Sequence, residues 1–215
     1  LDKPVTCLAD LPDWNYDGSS TYQATTENSE VILKPVAYFR DPLRQGDNIL
    51  VLAEGYIWAD AKLDKLIPTN TNFRHFAKQI FDAVEHEETW YGIEQEYFIV
   101  SHKSVEPIPI AFVNDTFKPS SQGEYYCGVG AKHMFGRDIV EEHFDLCLEA
   151  GLNVEGINAE VATGQWEYQI FAKGAHSAGD QIWVARFLLE RTAEKYGVYV
   201  DLHPKPLGKF ADWNG

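Results

Sequence analysis

One segment of the chain is rich in aromatic and β-branched residues, and it runs Trp90-Tyr91-Gly92-Ile93-Glu94-Gln95-Glu96-Tyr97-Phe98-Ile99-Val100. This composition predicts a β-strand. Because positions i and i+2 of a strand share a face, Glu94 and Glu96 project side by side. An isolated pair of this kind is most often a solvated strand face, but the apolar flanks indicate a well-covered central strand. Two adjacent carboxylates there repel each other unless a cation lies between them or one is protonated.

A second acidic segment is predicted to form a β-hairpin, with strands over 154–162 and 165–171. Glu160 lies near the end of the first predicted strand. Glu167 lies in the second, with a glutamine two residues away on either side. By itself, a Gln-Glu-Gln face fits plain solvent exposure equally well.

Together the two segments place four carboxylates on three predicted strands of one sheet: Glu94, Glu96, Glu160 and Glu167. An oxygen-rich set of this kind suits a hard cation such as Mg²⁺ or Mn²⁺ better than Zn²⁺. Since protein-bound Mg²⁺ usually shares its coordination with substrate phosphates, nucleotide chemistry is the working hypothesis.

The rest of the chain predicts an α+β fold. The first 60 or so residues indicate short strands and turns, and helical periodicity follows over 73–84, 136–150 and 180–196. In the second helix the residues predicted to face inward are Ile139, Val140, Phe144, Cys147 and Leu148. In the third they are Ile182, Ala185, Leu189, Ala193 and Tyr196. Residues 198–202 alternate as a last strand, so the pattern predicts a small β-rich part followed by helices on an antiparallel sheet.

The amino-acid composition and net charge argue against several classes of protein. The chain has 215 residues, with 18 Lys and Arg against 33 Asp and Glu, a formal net charge of −15. Such an acid excess opposes binding to nucleic acid and to anionic membranes, and the 45% hydrophobic content excludes a disordered chain. No apolar run approaches the roughly 18 residues of a membrane-spanning helix. Cys7, Cys127 and Cys147 form no CxxC pair, which favours reduced thiols.

The sequence resembles the eukaryotic, decameric glutamine synthetases (glutamate–ammonia ligases). One matching block is Asp13-Trp14-Asn15-Tyr16-Asp17-Gly18-Ser19-Ser20, and another is the segment over 90–97 described above. Further colinear blocks occur over 41–44, 125–131, 135–139, 158–161, 164–169, 204–206 and 213–215. As a set, these blocks span nearly the whole chain and are highly specific.

The resemblance implies a partial β-grasp-like N-terminal domain over 1–66 and the N-terminal part of an antiparallel-sheet catalytic domain over 67–215. The activity it implies is the ligation of ammonia to the γ-carboxylate of glutamate, through γ-glutamyl phosphate formed from ATP. It also implies two or three Mg²⁺ or Mn²⁺ ions per site and a homo-oligomer of stacked pentameric rings, with active sites between subunits. The expected location is the cytoplasm, with an organelle stroma or matrix as the alternative.

The resemblance also assigns roles to individual residues. Asp17 matches the aspartate that a neighbouring subunit offers to the ammonium ion. The metal ligands are Glu96, Glu160 and Glu167 for one ion and Glu94 for another. The residues expected to contact ATP are Trp90, Glu94, Glu167, Tyr168 and Gln169. Those expected to contact glutamate are Glu96, Glu160, Trp213, Asn214 and Gly215.

The sequence also departs from the family pattern. Family members continue past Trp-Asn-Gly to a metal-binding His and to phosphate-binding arginines, so we expect the residues up to Gly215 alone to be catalytically incomplete. Phe171-Ala172 replaces the usual Gly-Pro, Lys132 an Asp and Gln181 a His. Two alternatives therefore remain: an inactive relative acting as a structural or regulatory partner, and a ligase for another amine or acid.

Overall fold

The computed structural model describes residues 4–59, 64–101, 108–109, 122–131 and 133–206. The chain divides into two compact units, residues 1–89 and 90–215. The predictions for Lys132, Trp213, Asn214 and Gly215 lie outside the described residues.

The first unit contains a four-stranded antiparallel sheet in the order β1-β2-β3-β4. Its elements are β1 (Trp14–Asp17), β2 (Glu30–Arg40), β3 (Ile49–Trp58), β4 (Leu66–Pro68) and the helix α1 (Phe73–Ala83). Asn72 caps α1 by accepting a hydrogen bond from the His75 backbone N–H at 3.1 Å, as its position before an apolar periodic segment predicts.

A buried ionic network joins β3 to the first turn of α1. The carboxylate of Glu54, which is 6% exposed, accepts hydrogen bonds from Arg74 at 2.7 Å and from the Tyr56 hydroxyl at 2.6 Å. That hydroxyl also lies 3.0 Å from Nδ1 of His75. Burial acts to raise the pKa of Glu54, but the hydrogen bonds from Tyr56 and Arg74 and the charge of Arg74 outweigh it, and the pKa is lowered.

The second unit is built on a sheet in the order β6-β5-β8-β7, with β9 also paired to β5. Its strands are β5 (Trp90–Ser101), β6 (Ile108–Pro109), β7 (Val154–Ala159), β8 (Gln165–Lys173) and β9 (Val198–Asp201). All of these pairings are antiparallel, and β5 occupies the central position that its apolar composition predicts. The predicted hairpin is confirmed, although β7 ends one residue before Glu160.

Two helices cover one face of this sheet: α2 (Arg137–Glu149) and α3 (Ala175–Tyr196). The sheet residues beneath them are fully or almost fully buried, and they include Tyr97, Trp166, Tyr168 and Ile170. Since Trp166, Tyr168 and Ile170 alternate with Gln165, Glu167 and Gln169 along β8, the acidic residues lie on the opposite face.

Two of the helix residues predicted to face inward are exposed. Leu148 of α2 is 49% exposed, and its place in the core is taken by His143, which is fully buried against the Ala185 backbone of α3. Tyr196 at the end of α3 is 40% exposed, because its hydroxyl donates a hydrogen bond to the solvent-facing Glu142. Helical periodicity locates an apolar stripe, but its edges depend on where the neighbouring helix lies.

The predicted α+β class with antiparallel sheets is confirmed by this architecture. Cys7, Cys127 and Cys147, all within the described residues, are free thiols. No helix in the described part of the chain combines the length and the apolarity needed to cross a bilayer.

Candidate metal centre

Three of the four predicted carboxylates come together on the face of the second sheet opposite α2 and α3. One oxygen from each of Glu96, Glu160 and Glu167 lies within 4.8 Å of the others. Glu96 on β5 is directly opposite Glu167 on β8, and Glu160 follows the last residue of β7. The register of three neighbouring strands therefore builds the cluster.

Glu94 lies two residues before Glu96 on the same face, opposite Gln169 of β8. It is not part of the closest triad, but its negative charge contributes to raising the pKa values of Glu96 and Glu167. The structure thus places all four predicted carboxylates on one face.

Amide side chains hold these carboxylates in place. Gln165 donates a hydrogen bond to Oε2 of Glu96 at 2.5 Å, and Gln169 donates to Glu167 and, at 2.8 Å, to Oδ1 of Asn158. Asn158 in turn donates to Oε1 of Glu160 at 3.2 Å. An amide supplies N–H donors without a positive charge, so it orients a carboxylate without neutralising it.

The charges of the cluster are not balanced by basic side chains in the described part of the chain. In the described residues, no Lys or Arg forms an ion pair with Glu94, Glu96, Glu160 or Glu167. Burial first, and then repulsion from neighbouring carboxylates, raises the pKa values of Glu96 and Glu167, although a glutamine hydrogen bond to each opposes the shift. Like charges directly opposite each other on paired strands are destabilising, and a bound cation removes that penalty.

The donor set fits a hard divalent cation. It consists of carboxylate oxygens fixed by neighbouring amides, which suits Mg²⁺ or Mn²⁺, and no His or Cys belongs to the triad. The fit therefore rests on the spacing of the three oxygens and on the raised pKa values of Glu96 and Glu167.

The other predicted site residues are spread over the two units. Trp90 begins β5 on the carboxylate face, is 61% exposed and stacks on Phe171 with ring centroids 5.1 Å apart. Tyr168 points away, fully buried under the helices. Asp17 lies in the first unit at the end of β1, where its exposed carboxylate accepts hydrogen bonds from the backbone and hydroxyl of Ser19 at 2.9 and 2.6 Å.

The sequence did not assign a role to several residues that the fold brings to this site. Asn158 joins it because β7 pairs with β8 so that Asn158 is opposite Glu167. His203 and its two neighbours, Leu202 and Pro204, line a cavity beside Glu94 and Glu96. Of the groups that support the carboxylates, only Gln165 and Gln169 could be placed beside Glu167 from the sequence, through the alternation of Gln, Glu and Gln along β8.

Comparison with known proteins identifies the family. Residues 70–212 match the family model described as "Glutamine synthetase, catalytic domain". The chain is 51% identical over 217 residues to glutamine synthetase cytosolic isozyme 1-1 of Oryza sativa subsp. japonica. It is 47% identical over 216 residues to glutamine synthetase of Candida glabrata. Both alignments cover 100% of this chain, which spans 58% and 55% of the length of those relatives.

A solved structure shares the fold. The chain described as "GmaS/ADP complex-Conformation 1" aligns with a TM-score of 0.67 over 94% of this chain and 44% of its own length, at 16% identity. The fold, the acidic face and the sequence matches agree, and the chain belongs to the glutamine synthetase catalytic-domain family.

Proposed function

We propose that this chain carries the metal- and nucleotide-binding face of a glutamate–ammonia ligase, which joins ammonia to the γ-carboxylate of glutamate through γ-glutamyl phosphate formed from ATP. The observation that carries the proposal is the triad Glu96, Glu160 and Glu167, whose oxygens lie within 4.8 Å of one another in a chain of this family. No Lys or Arg of the described residues pairs with this cluster, and a bound divalent cation would relieve the repulsion between its carboxylates.

In this proposal Glu96, Glu160 and Glu167 hold one divalent ion and Glu94 contributes to a second. Bound Mg²⁺ or Mn²⁺ supplies positive charge that neutralises phosphate oxygens and the developing acyl phosphate. The chain's own contribution is to fix the carboxylates through Gln165, Gln169 and Asn158, so that little reorganisation accompanies binding.

The nucleotide is proposed to bind along the same face. The exposed stack of Trp90 on Phe171 offers an aromatic surface to a base at one end of the face. The paired residues Glu94 and Gln169 lie between that stack and Glu167 of the triad, and all three are proposed to contact the nucleotide. The structurally similar GmaS chain is described as an ADP complex, which supports a nucleotide ligand. For Tyr168 the proposed ATP contact is limited to its backbone, because its ring is fully buried on the helix-covered face.

Asp17 is proposed to receive ammonium. Hydrogen bonds from the Ser19 side chain and backbone lower the pKa of Asp17, which keeps it anionic and able to attract NH₄⁺ and accept its proton. The glutamate contacts proposed are Glu96, Glu160 and the segment 213–215.

The larger assembly is likewise a proposal: stacked rings of identical subunits in the cytoplasm, in keeping with relatives named cytosolic isozymes. We also propose that the catalytic domain begins near residue 67, which the family match over 70–212 supports.

Titration with Mn²⁺, followed by calorimetry or electron paramagnetic resonance, tests the proposal. The wild-type chain is expected to bind Mn²⁺, and Glu96→Gln to weaken binding by at least about tenfold. Glu155→Gln is the matched control, because Glu155 is an exposed strand residue of the same sheet. Absence of Mn²⁺ binding by the wild type would favour the alternative of an inactive structural partner.

The reaction itself is tested by following ADP and glutamine formation with Mn²⁺ or Mg²⁺ present. Glutamine formation that requires both ammonia and glutamate supports the ligase. Faster ADP formation with another amine or acid would support the alternative of a different ligase.

A further inference from the structure

A cavity of about 180 Å³ adjoins the candidate metal centre on the β9 side of β5. Its walls come from residues 94–98 of β5, from Gln165 of β8, and from residues 202–204, which follow β9. Asp201 pairs with Phe98, so the antiparallel register carries the chain that leaves β9 towards Glu96. His203 therefore reaches the carboxylate face from a part of the chain that lies far from the triad in sequence.

The hydrogen bonds of His203 fix its tautomer. Its backbone N–H donates to Oδ1 of Asp201 at 2.8 Å, and its Nδ1 accepts the backbone N–H of Lys205 at 2.9 Å. A backbone N–H can only donate, so Nδ1 carries no proton and the neutral ring must carry its proton on Nε2. His203 is thus an N–H donor and is unsuited to ligate a metal through Nε2 in this arrangement.

Among the described residues, no acceptor is paired with this Nε2–H of the exposed His203 side chain. Glu94 and Glu96 offer carboxylate oxygens. The amide N–H of Gln165 is directed at Glu96, and its oxygen accepts the Ala162 backbone N–H at 3.2 Å. Tyr97 also lines the cavity and its hydroxyl has no partner, but Tyr97 alternates with Glu96 and is buried on the helix-covered face. Among the described residues that line the carboxylate side of the cavity, His203 is therefore the one that retains an unpaired side-chain donor.

We propose that Nε2–H of His203 donates a hydrogen bond to an anionic oxygen, carboxylate or phosphoryl, of a substrate bound at the carboxylate cluster. The proposal rests on the proposed function, because a cation at the cluster is what attracts an anion to an otherwise acidic cavity. His203 is then a specificity-determining residue: it favours ligands with an oxygen acceptor at this point and gives nothing to ligands that lack one.

The test compares His203→Ala, His203→Gln and the control His86→Ala, which removes an exposed histidine of the first unit (side chain 74% exposed). Mn²⁺ affinity is measured first, and then the affinities for glutamate and for ADP separately at saturating Mn²⁺. His203→Ala is expected to leave Mn²⁺ affinity within about twofold and to weaken one of the two substrates about tenfold, the loss of one hydrogen bond to a charged group. His203→Gln, which keeps a donor, is expected to restore part of the loss.

The outcomes distinguish the proposed role of His203 from the proposed metal-binding function. Weakened glutamate binding assigns the donor to a carboxylate, and weakened ADP binding assigns it to a phosphoryl oxygen. If the wild type binds Mn²⁺ but His203→Ala leaves both substrate affinities within twofold, or if the wild type binds neither substrate, the inference about His203 is overturned while the metal site stands. A tenfold loss of Mn²⁺ affinity in His203→Ala also overturns it, because the residue then acts on the metal. Failure of the wild type to bind Mn²⁺ overturns the proposed function itself.

Discussion

Two glutamates of this molecule are equally shielded from solvent, yet their pKa values are shifted in opposite directions. Glu54 in the first unit and Glu167 in the second are each 6% exposed. The pKa of Glu54 is lowered, because Arg74 and Tyr56 outweigh the effect of burial, whereas burial and three neighbouring carboxylates raise the pKa of Glu167.

The contrast distinguishes a glutamate that stabilises the fold through an internal ion pair from glutamates that are suited to bind an external cation. Glu54 has its cation inside the protein, so the pair connects β3 to α1. Glu167 instead accepts a hydrogen bond from the amide of Gln169, which orients its carboxylate without neutralising its charge. Clustered charge that the fold orients and does not neutralise indicates a cation supplied from outside.

The largest effect is expected from Arg74→Leu. It leaves the buried carboxylate of Glu54 without its cation, so the free energy of unfolding of the first unit should fall by about 3 kcal/mol. Urea denaturation followed by circular dichroism measures the change. A loss below about 1 kcal/mol would mean that Glu54 is satisfied without Arg74.

In contrast to Arg74→Leu, Glu167→Gln should weaken cation binding without lowering the stability of the metal-free protein. We expect the Mn²⁺ dissociation constant to rise at least about 100-fold, which is about 2.7 kcal/mol, because a metal ligand is lost. The stability of the metal-free protein should not fall, since one of several repelling charges is removed. Calorimetry with Mn²⁺ and urea denaturation in a chelator measure the two quantities. A destabilised metal-free variant that keeps full Mn²⁺ affinity would contradict the comparison.

Lowering the pH should affect cation binding at Glu96 and Glu167 before it affects the stabilising ion pair of Glu54. The folded pKa values of Glu96 and Glu167 lie above the ordinary 4.5, so the metal-free fold takes up protons there before the unfolded chain does, and falling pH relieves repulsion. Mn²⁺ must compete with those protons, so its affinity should start to fall above pH 4.5, by up to about tenfold per pH unit for each proton displaced.

Glu54 has a lowered folded pKa, so its contribution to stability is present above the unfolded value and is lost only as pH falls through the folded pKa. Mn²⁺ release is therefore expected at a higher pH than any loss of the first unit. Parallel Mn²⁺ titrations and circular dichroism across a pH series measure the order, and the reverse order would contradict the assignment.

The smallest effect is expected from Lys78→Ala. Lys78 and Asp82 form an exposed ion pair at 2.6 Å, four residues apart on α1, the same helix that carries Arg74. Its loss should lower the free energy of unfolding by no more than about 0.5 kcal/mol, because solvent and salt screen such pairs. The same urea denaturation measures it, and a loss comparable to that of Arg74→Leu would remove the distinction between buried and exposed pairs.

Local patterns in the sequence predicted the strand β5, the hairpin and the shared face of Glu94 and Glu96, because strand alternation is a property of consecutive residues. They failed where an outcome depends on a distant neighbour. The predicted start of α3 at residue 180 is five residues late, since Gly179 suggests a break although the helix runs through it from Ala175. Leu148, which is predicted to face inward, is exposed, whereas His143 is buried, because α3 determines which side of α2 is covered.

The sequence by itself determined the family, the class of fold and the four carboxylates of the proposed metal centre, because residue type and spacing along the chain carry that information. Only the tertiary structure decided which acids are neutralised and which are not. The pairing of Glu54 with Arg74, the approach of Glu160 to Glu96 and Glu167, and the arrival of His203 beside them depend on strand register and helix docking. Electrostatic and hydrogen-bond energies follow distance through space, which separation along the chain does not reveal.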